Sequence, residues 1–180
     1  MLVHGFHRVA EEVRSYFNTV DQLISSVKQV FLKTPYRTRI IKNEAPDIPM
    51  PPQPILTRWG TWLNAAKYYC ENYEVTKSII NKLDENDASS IKKAKDIFYH
   101  PDLKANLAFI SSNYNFLSTY ITRLEKQNMM LSESISIVKT VKEKLPSPQG
   151  AKGKAIYKKL ENVLSKKIKD LKLLKTFPIF

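Results

Sequence analysis

The densest group of chemically useful side chains is Arg58-Trp59, inside the stretch Leu56-Thr57-Arg58-Trp59-Gly60-Thr61-Trp62-Leu63. A guanidinium beside an indole supplies a charge for a phosphate and a flat ring on which a base can stack. Tyr68, Tyr69 and Tyr73 continue the aromatic run. The same residues also suit a helix that packs its tryptophans into a core, and on physical grounds alone that is the simpler reading. His4 and His7 stand three apart and share a helix face, as metal ligands can, but no carboxylate or cysteine pattern nearby completes a coordination set. His100, before Pro101, reads as a loop residue. Cys70 is the single cysteine, which excludes an internal disulfide and a multi-cysteine zinc site; among tyrosines on a helix it reads as a buried, inert thiol.

The acids read as helix-surface charges. Lys92 with Asp96, Lys139 with Glu143 and Lys166 with Asp170 are each four apart, the spacing of surface ion pairs. No two carboxylates are marked as a pair for metal-assisted phosphoryl transfer. No serine sits in a glycine-flanked elbow, and the four glycines form no phosphate-wrapping loop. No catalytic residue, metal ligand, cofactor or small-molecule substrate is therefore assigned.

Charge is more informative. The chain carries +12 over 180 residues, and from Pro146 onward nine lysines face only two acids. Such a stripe suits nucleic-acid phosphates or anionic lipid; the plain alternative is a solvated lysine face. Lys158, Lys159, Lys166, Lys169 and Lys172 join Arg58 and Trp59 as the candidate DNA contacts. No apolar run approaches the roughly 20 residues of a membrane span, so no membrane partner is expected.

The elements that would hold these residues are helical, because apolar positions recur at steps of three and four almost throughout. Phe6, Val9, Ala10, Val13 and Phe17 share one face, and Asp21 reads as the cap of a second helix. Thr34-Pro35 reads as the start of a third. Five prolines between Pro46 and Pro54 force an extended connector. Helix resumes after Thr57, with Asn72 as a bend before an inward face of Val75, Ile79, Ile80 and Leu83. Asp87 and Asp102 read as further caps, and a long helix follows Leu103 to about Lys126. One more helix carries Leu131 to Leu145, and a last amphipathic one runs from Ile156 to Leu174 after a loop over Pro146–Gly153. The expected fold is all-α: an irregular bundle of about seven helices with a Pro-rich extended connector and no complete sheet. Its divisions are a helical segment at 1–45, a linker at 46–56, a helical domain at 57–145, and a loop with a basic amphipathic helix at 146–180.

Three blocks resemble the hAT superfamily of DNA transposases: His4-Gly5-Phe6-His7-Arg8-Val9-Ala10-Glu11-Glu12, the Pro51–Pro54 stretch, and Thr57-Arg58-Trp59-Gly60-Thr61-Trp62-Leu63. The resemblance implies one helix of an RNase H-like core followed by part of the all-helical insertion that interrupts that core. In the family the core holds three catalytic acids and uses a divalent metal such as Mg. A cysteine and, three positions on, a histidine follow the second acid. His4 matches that histidine, while Met1 stands where the cysteine belongs. The resemblance then implies a chain that begins after the second acid and ends before the third, and so is catalytically incomplete. It further implies that Trp59, with Arg58 beside it, descends from a tryptophan that stacks on a base flipped from the transposon end. The implied partners are DNA, other transposase subunits or a host protein, and the implied location is the nucleus. With its sheet missing, the first helix should leave Phe6, Val9 and Val13 poorly buried or repacked on other helices.

Two other functions fit the residues. One is an independent helical module that holds nucleic acid with its basic C-terminal helix, or contacts protein; the other is a tail helix lying on anionic membrane.

Overall fold

The computed structural model describes the backbone of residues 2–55, 58–126, 129–144 and 150–174, with their side chains except at positions 2, 131 and 166–174. Those residues form ten α-helices and no strand, so the chain is all-α. The helices are α1 (Leu2–Ser15), α2 (Asn18–Phe31), α3 (Pro35–Glu44), α4 (Trp59–Glu71) and α5 (Tyr73–Lys82), then α6 (Ser89–Phe98), α7 (Leu103–Tyr114), α8 (Phe116–Leu124), α9 (Leu131–Lys144) and α10 (Gly150–Leu174).

The count exceeds the seven or so read from periodicity: the bend expected at Asn72 separates α4 from α5, and a break at Asn115 divides a run read as one helix. At Asn72 the side-chain amide donates to the Tyr68 carbonyl at 3.0 Å, and the backbone leaves the helix at φ −112°, ψ 27°. At Asn115 the dihedrals stay helical, φ −60° and ψ −30°, but the hydroxyl of Ser118 takes the Asn115 carbonyl at 2.7 Å. Short polar side chains compete there for backbone acceptors, so the expected single helix from Leu103 becomes α7 and α8.

The expected caps are corrected as well. Asp21 lies inside the first turn of α2 behind Phe17, and its carboxylate is spent elsewhere. Thr34 stands at the start of α3 before Pro35, but its hydroxyl donates back to Leu32. Ala88, not Asp87, precedes α6; Asp102 precedes α7 without a side-chain bond. Thr57 lies outside the described residues, and Arg58 precedes α4. The last helix already begins at Gly150, inside the stretch expected as a loop. Val75 is 41 % exposed, because α5 turns only Tyr73, Thr76, Ile79 and Ile80 inward. Cys70 is half-buried rather than buried. Neither Lys92–Asp96 nor Lys139–Glu143 closes to an ion pair; Lys67–Glu71 does, at 3.5 Å. The side chains of Lys166 and Asp170 lie outside the described set.

One buried cluster takes side chains from both sides of the proline connector and from α10. Phe6, Val9, Ala10 and Val13 are wholly removed from water, with α1 contacting α10, α4 and α8. The apolar face of the first helix is thus fully buried against other helices, not poorly buried. Burial of Phe6, Val9 and Val13 contributes about 1.5–3 kcal/mol each. α2 runs along α6, and α4 along α7 and α8. The connector is irregular from Ala45 to Ile55 and is tied down by side chains: Tyr68 donates to the Pro49 carbonyl at 2.7 Å, and Lys28 to that of Pro54 at 3.2 Å. Prolines leave carbonyls without ladder partners, and these donors satisfy two of them.

Two tests follow from this packing. A Cβ on Gly5 would collide with Val163 Cγ1, so α1 and α10 meet where only glycine fits. Gly5→Ala should cost about 1–3 kcal/mol in a thermal melt, and adding Val163→Ala should recover most of it. Tyr69 is wholly buried with no partner for its hydroxyl among the described residues, and burial pushes its phenol far above the ordinary tyrosine range. Tyr69→Phe should stabilise the protein by about 1 kcal/mol in urea, since an unpaired buried hydroxyl is removed at constant shape.

Candidate nucleic-acid interface

Arg58 and Trp59 stand at the start of α4, where the connector ends. Thr61 fixes this corner: its hydroxyl donates to the Arg58 carbonyl at 2.7 Å and accepts from the Ile55 amide at 3.0 Å. Arg58 is exposed and Trp59 half-buried, while Trp62, one turn on, is only 3 % exposed. The two tryptophans therefore divide the two readings of the sequence between them. Trp62 is core; Trp59 is available at the surface.

What holds Trp59 comes from α1 and α2. The Arg14 guanidinium donates through Nε and Nη2 to the Asp21 carboxylate at 2.5 and 2.9 Å, and its carbon stands 4.8 Å from the Trp59 ring centroid. Trp62 Nε1 donates to the same carboxylate at 3.0 Å. A two-pronged arginine–carboxylate pair is rigid as well as strong, so the cation over the indole is fixed in place.

Trp59 borders a cleft of about 480 Å³ lined by His4, His7, Arg8 and Glu11 of α1, by Arg58, and by Glu125 after α8. His7 Nε2 lies 3.2 Å from Glu125 Oε1. His7 Nδ1 is buried without a partner among the described residues. Two arginines and two glutamates give this cleft no large net charge. It is a ring-edged polar groove, with Arg8 and Arg58 as its fixed cations. Among the described residues no three histidine, cysteine, aspartate or glutamate side chains are grouped to hold a metal ion.

The tail lysines sit elsewhere. Lys158 is exposed on α10, and Lys159 is paired with Glu12 of α1 at 3.2 Å. Lys166, Lys169 and Lys172 fall on the α10 backbone, but their side chains are outside the described residues. Gly5 and Glu12, seven apart on α1, meet α10, whereas His4, Arg8 and Glu11 line the cleft. Cleft and tail helix thus take neighbouring stripes of α1. Among the described residues no helix is long and apolar enough to cross a membrane.

Sequence spacing missed Arg14 and Glu125 as members of this region. Arg14 carries a faint signal, since a cation seven residues before Asp21 spans the α1–α2 turn; Glu125, 118 residues from His7, carries none. Comparison with protein-family models, with curated proteins and with solved structures gave no match for the chain.

Asp21→Ala should lower stability by about 2 kcal/mol, because it strips partners from Arg14 and Trp62 together. The same variant should shift tryptophan emission to the red, reporting a loosened indole pair. Unchanged emission would mean that the α1–α4 corner does not depend on this carboxylate.

Proposed function

We propose that the protein is a catalytically incomplete, hAT-transposase-like helical unit whose remaining activity is contact with DNA. The observation that carries this reading is convergence. The His4–Glu12 block and the Arg58–Leu63 block, about fifty residues apart in the sequence, meet at one cleft with a half-buried indole on its rim. Arg8 and Arg58 offer charges to phosphate oxygens. Trp59, held against the Arg14 cation, is also a lining residue of the cleft and offers it a ring for base stacking.

The second reading, an electrostatic module built on α10, is supported by exposed Lys152, Lys154 and Lys158 along that helix. Removing the tail would not separate the two, because α10 covers α1 and its loss would open the core. Charge substitution does separate them.

The deciding measurement is DNA binding by the full chain across a salt series, with Trp59→Ala and the triple change Lys152→Gln, Lys154→Gln and Lys158→Gln in parallel. Stacking at Trp59 predicts about a tenfold loss of affinity for single-stranded or end-frayed DNA in Trp59→Ala, with the salt slope unchanged. Loss in the lysine variant with a slope shallower by about 3, and none in Trp59→Ala, would replace the cleft by the tail helix. DNA binding by neither variant nor the parent would overturn both.

A further inference from the structure

A second cleft, of about 380 Å³, opens between α2, α3 and the start of α6, lined by Ser25, Ser26, Gln29, Arg37, Ala88, Ser89, Ser90 and Lys93. No carboxylate lines it. Arg37 is half-buried and anchored, its Nη1 donating to the Val30 carbonyl at 3.2 Å, which leaves the rest of the guanidinium fork for another acceptor. Lys93 is exposed on the opposite wall.

The start of α6 supplies backbone donors. The helix spans ten residues, and Ala88, which precedes it, has no side chain able to cap. The Ile91 amide turns back to the Ala88 carbonyl at 3.0 Å, but the amides of Ser89 and Ser90 have no acceptor among the described residues. Unpaired amides at a helix start, with the positive end of its dipole, form an anion-binding arrangement.

Ser26 points independently to a ligand. It is one of three polar residues in the buried set, only 9 % exposed, and it lines this cleft. Its hydroxyl has no hydrogen-bond partner among the described residues, whereas Ser25 beside it donates to the Gln22 carbonyl. A serine within a helix commonly satisfies itself on the preceding turn. Ser26 keeps its hydroxyl for the cleft.

We propose that this cleft is a phosphate-binding site, in which Arg37 and Lys93 neutralise the anion while Ser26 Oγ and the Ser89 and Ser90 amides donate to its oxygens. The chemistry is that of a phosphate group, carried either by a small molecule or by a nucleic-acid backbone. Its residues are distinct from those around Trp59, so the proposal stands or falls separately from the DNA-end reading.

The test is a titration of isotope-labelled full-length protein with inorganic phosphate, read at the Ser89 and Ser90 amide resonances. Saturable shifts there are expected. Lys93→Gln should weaken binding about tenfold. Ser26→Ala should weaken it severalfold with an unchanged melting temperature, because its hydroxyl holds no structural bond. Arg37→Gln also removes the contact to Val30, so Ser26→Ala and Lys93→Gln decide the matter if that variant fails to fold. Trp59→Ala should bind phosphate like the parent. A short DNA duplex in a second arm distinguishes the sources. Duplex that moves the same amides and is displaced by phosphate identifies a backbone phosphate; amides moved by phosphate alone identify a small phosphorylated ligand. No saturable shift at Ser89 and Ser90, or full affinity in both Lys93→Gln and Ser26→Ala, overturns the site.

Discussion

The carboxylate of Asp21 ties three helices at one point, and the surface around Trp59 depends on that tie. Through one group of atoms, α2 holds the guanidinium of α1 and the indole nitrogen of α4. Asp21 and Arg14 are each about a quarter exposed, so the pair sits at the edge of the core rather than inside it. That position matters energetically. A fully buried pair would cost much of its attraction in lost hydration, while a fully exposed one would contribute little. Here the hydration cost is partial, and three donors, Arg14 Nε and Nη2 and Trp62 Nε1, meet the two carboxylate oxygens. The indole of Trp59 then receives a cation whose direction is fixed from behind.

The helical class was legible from apolar spacing because almost every element is a one-sided helix on a shared core. Phe6, Val9, Ala10 and Val13 show it well: the periodic positions are those with no exposure at all. Boundaries were less legible, for a specific reason. Aspartate and threonine at the expected caps have better uses in three dimensions, Asp21 with Arg14 and Trp62, Thr34 with Leu32. Local propensity ranks what a side chain does when nothing distant competes for it, and here distant or backward partners win. The bend at Asn72 was legible, while the split at Asn115, inside a run read as one helix, coincides with the Ser118 hydroxyl bonded to the Asn115 carbonyl.

The candidate site was partly visible and partly not. Arg58 and Trp59 could be singled out as a pair, but their neighbourhood could not, since its other wall comes from α1 and from Glu125. The histidines share a helix face in the sequence, with no further metal ligand marked beside them. In the fold His7 faces Glu125 instead, and no third ligand is grouped with them among the described residues. The tail lysines were singled out by number, yet Lys159 is already occupied by Glu12. Counting charges along a chain does not reveal which are already matched across it.

That distinction bears on where an anion would be held. Among the described residues, Arg14, Lys67, Lys82, Lys104, Arg123 and Lys159 have acidic partners. Arg37, Lys92 and Lys93 have none within ion-pair distance, and Lys92 closes the first turn of α6, which has no acid in it, with Lys93 next along the helix. Cations near a helix N-terminus oppose the dipole, at about 0.3–1 kcal/mol each where exposed. A sequence that only needed a stable α6 would place acids there and a capping side chain in front of it. This one has alanine at the cap, two serines and Lys92 in the first turn, and its acid, Asp87, stands before the cap. Departures from local consistency concentrate where a protein binds something. A phosphate at the start of α6 would pair with Lys93 and with the unpaired Ser89 and Ser90 amides, turning an uncapped helix start into a set of attractive contacts.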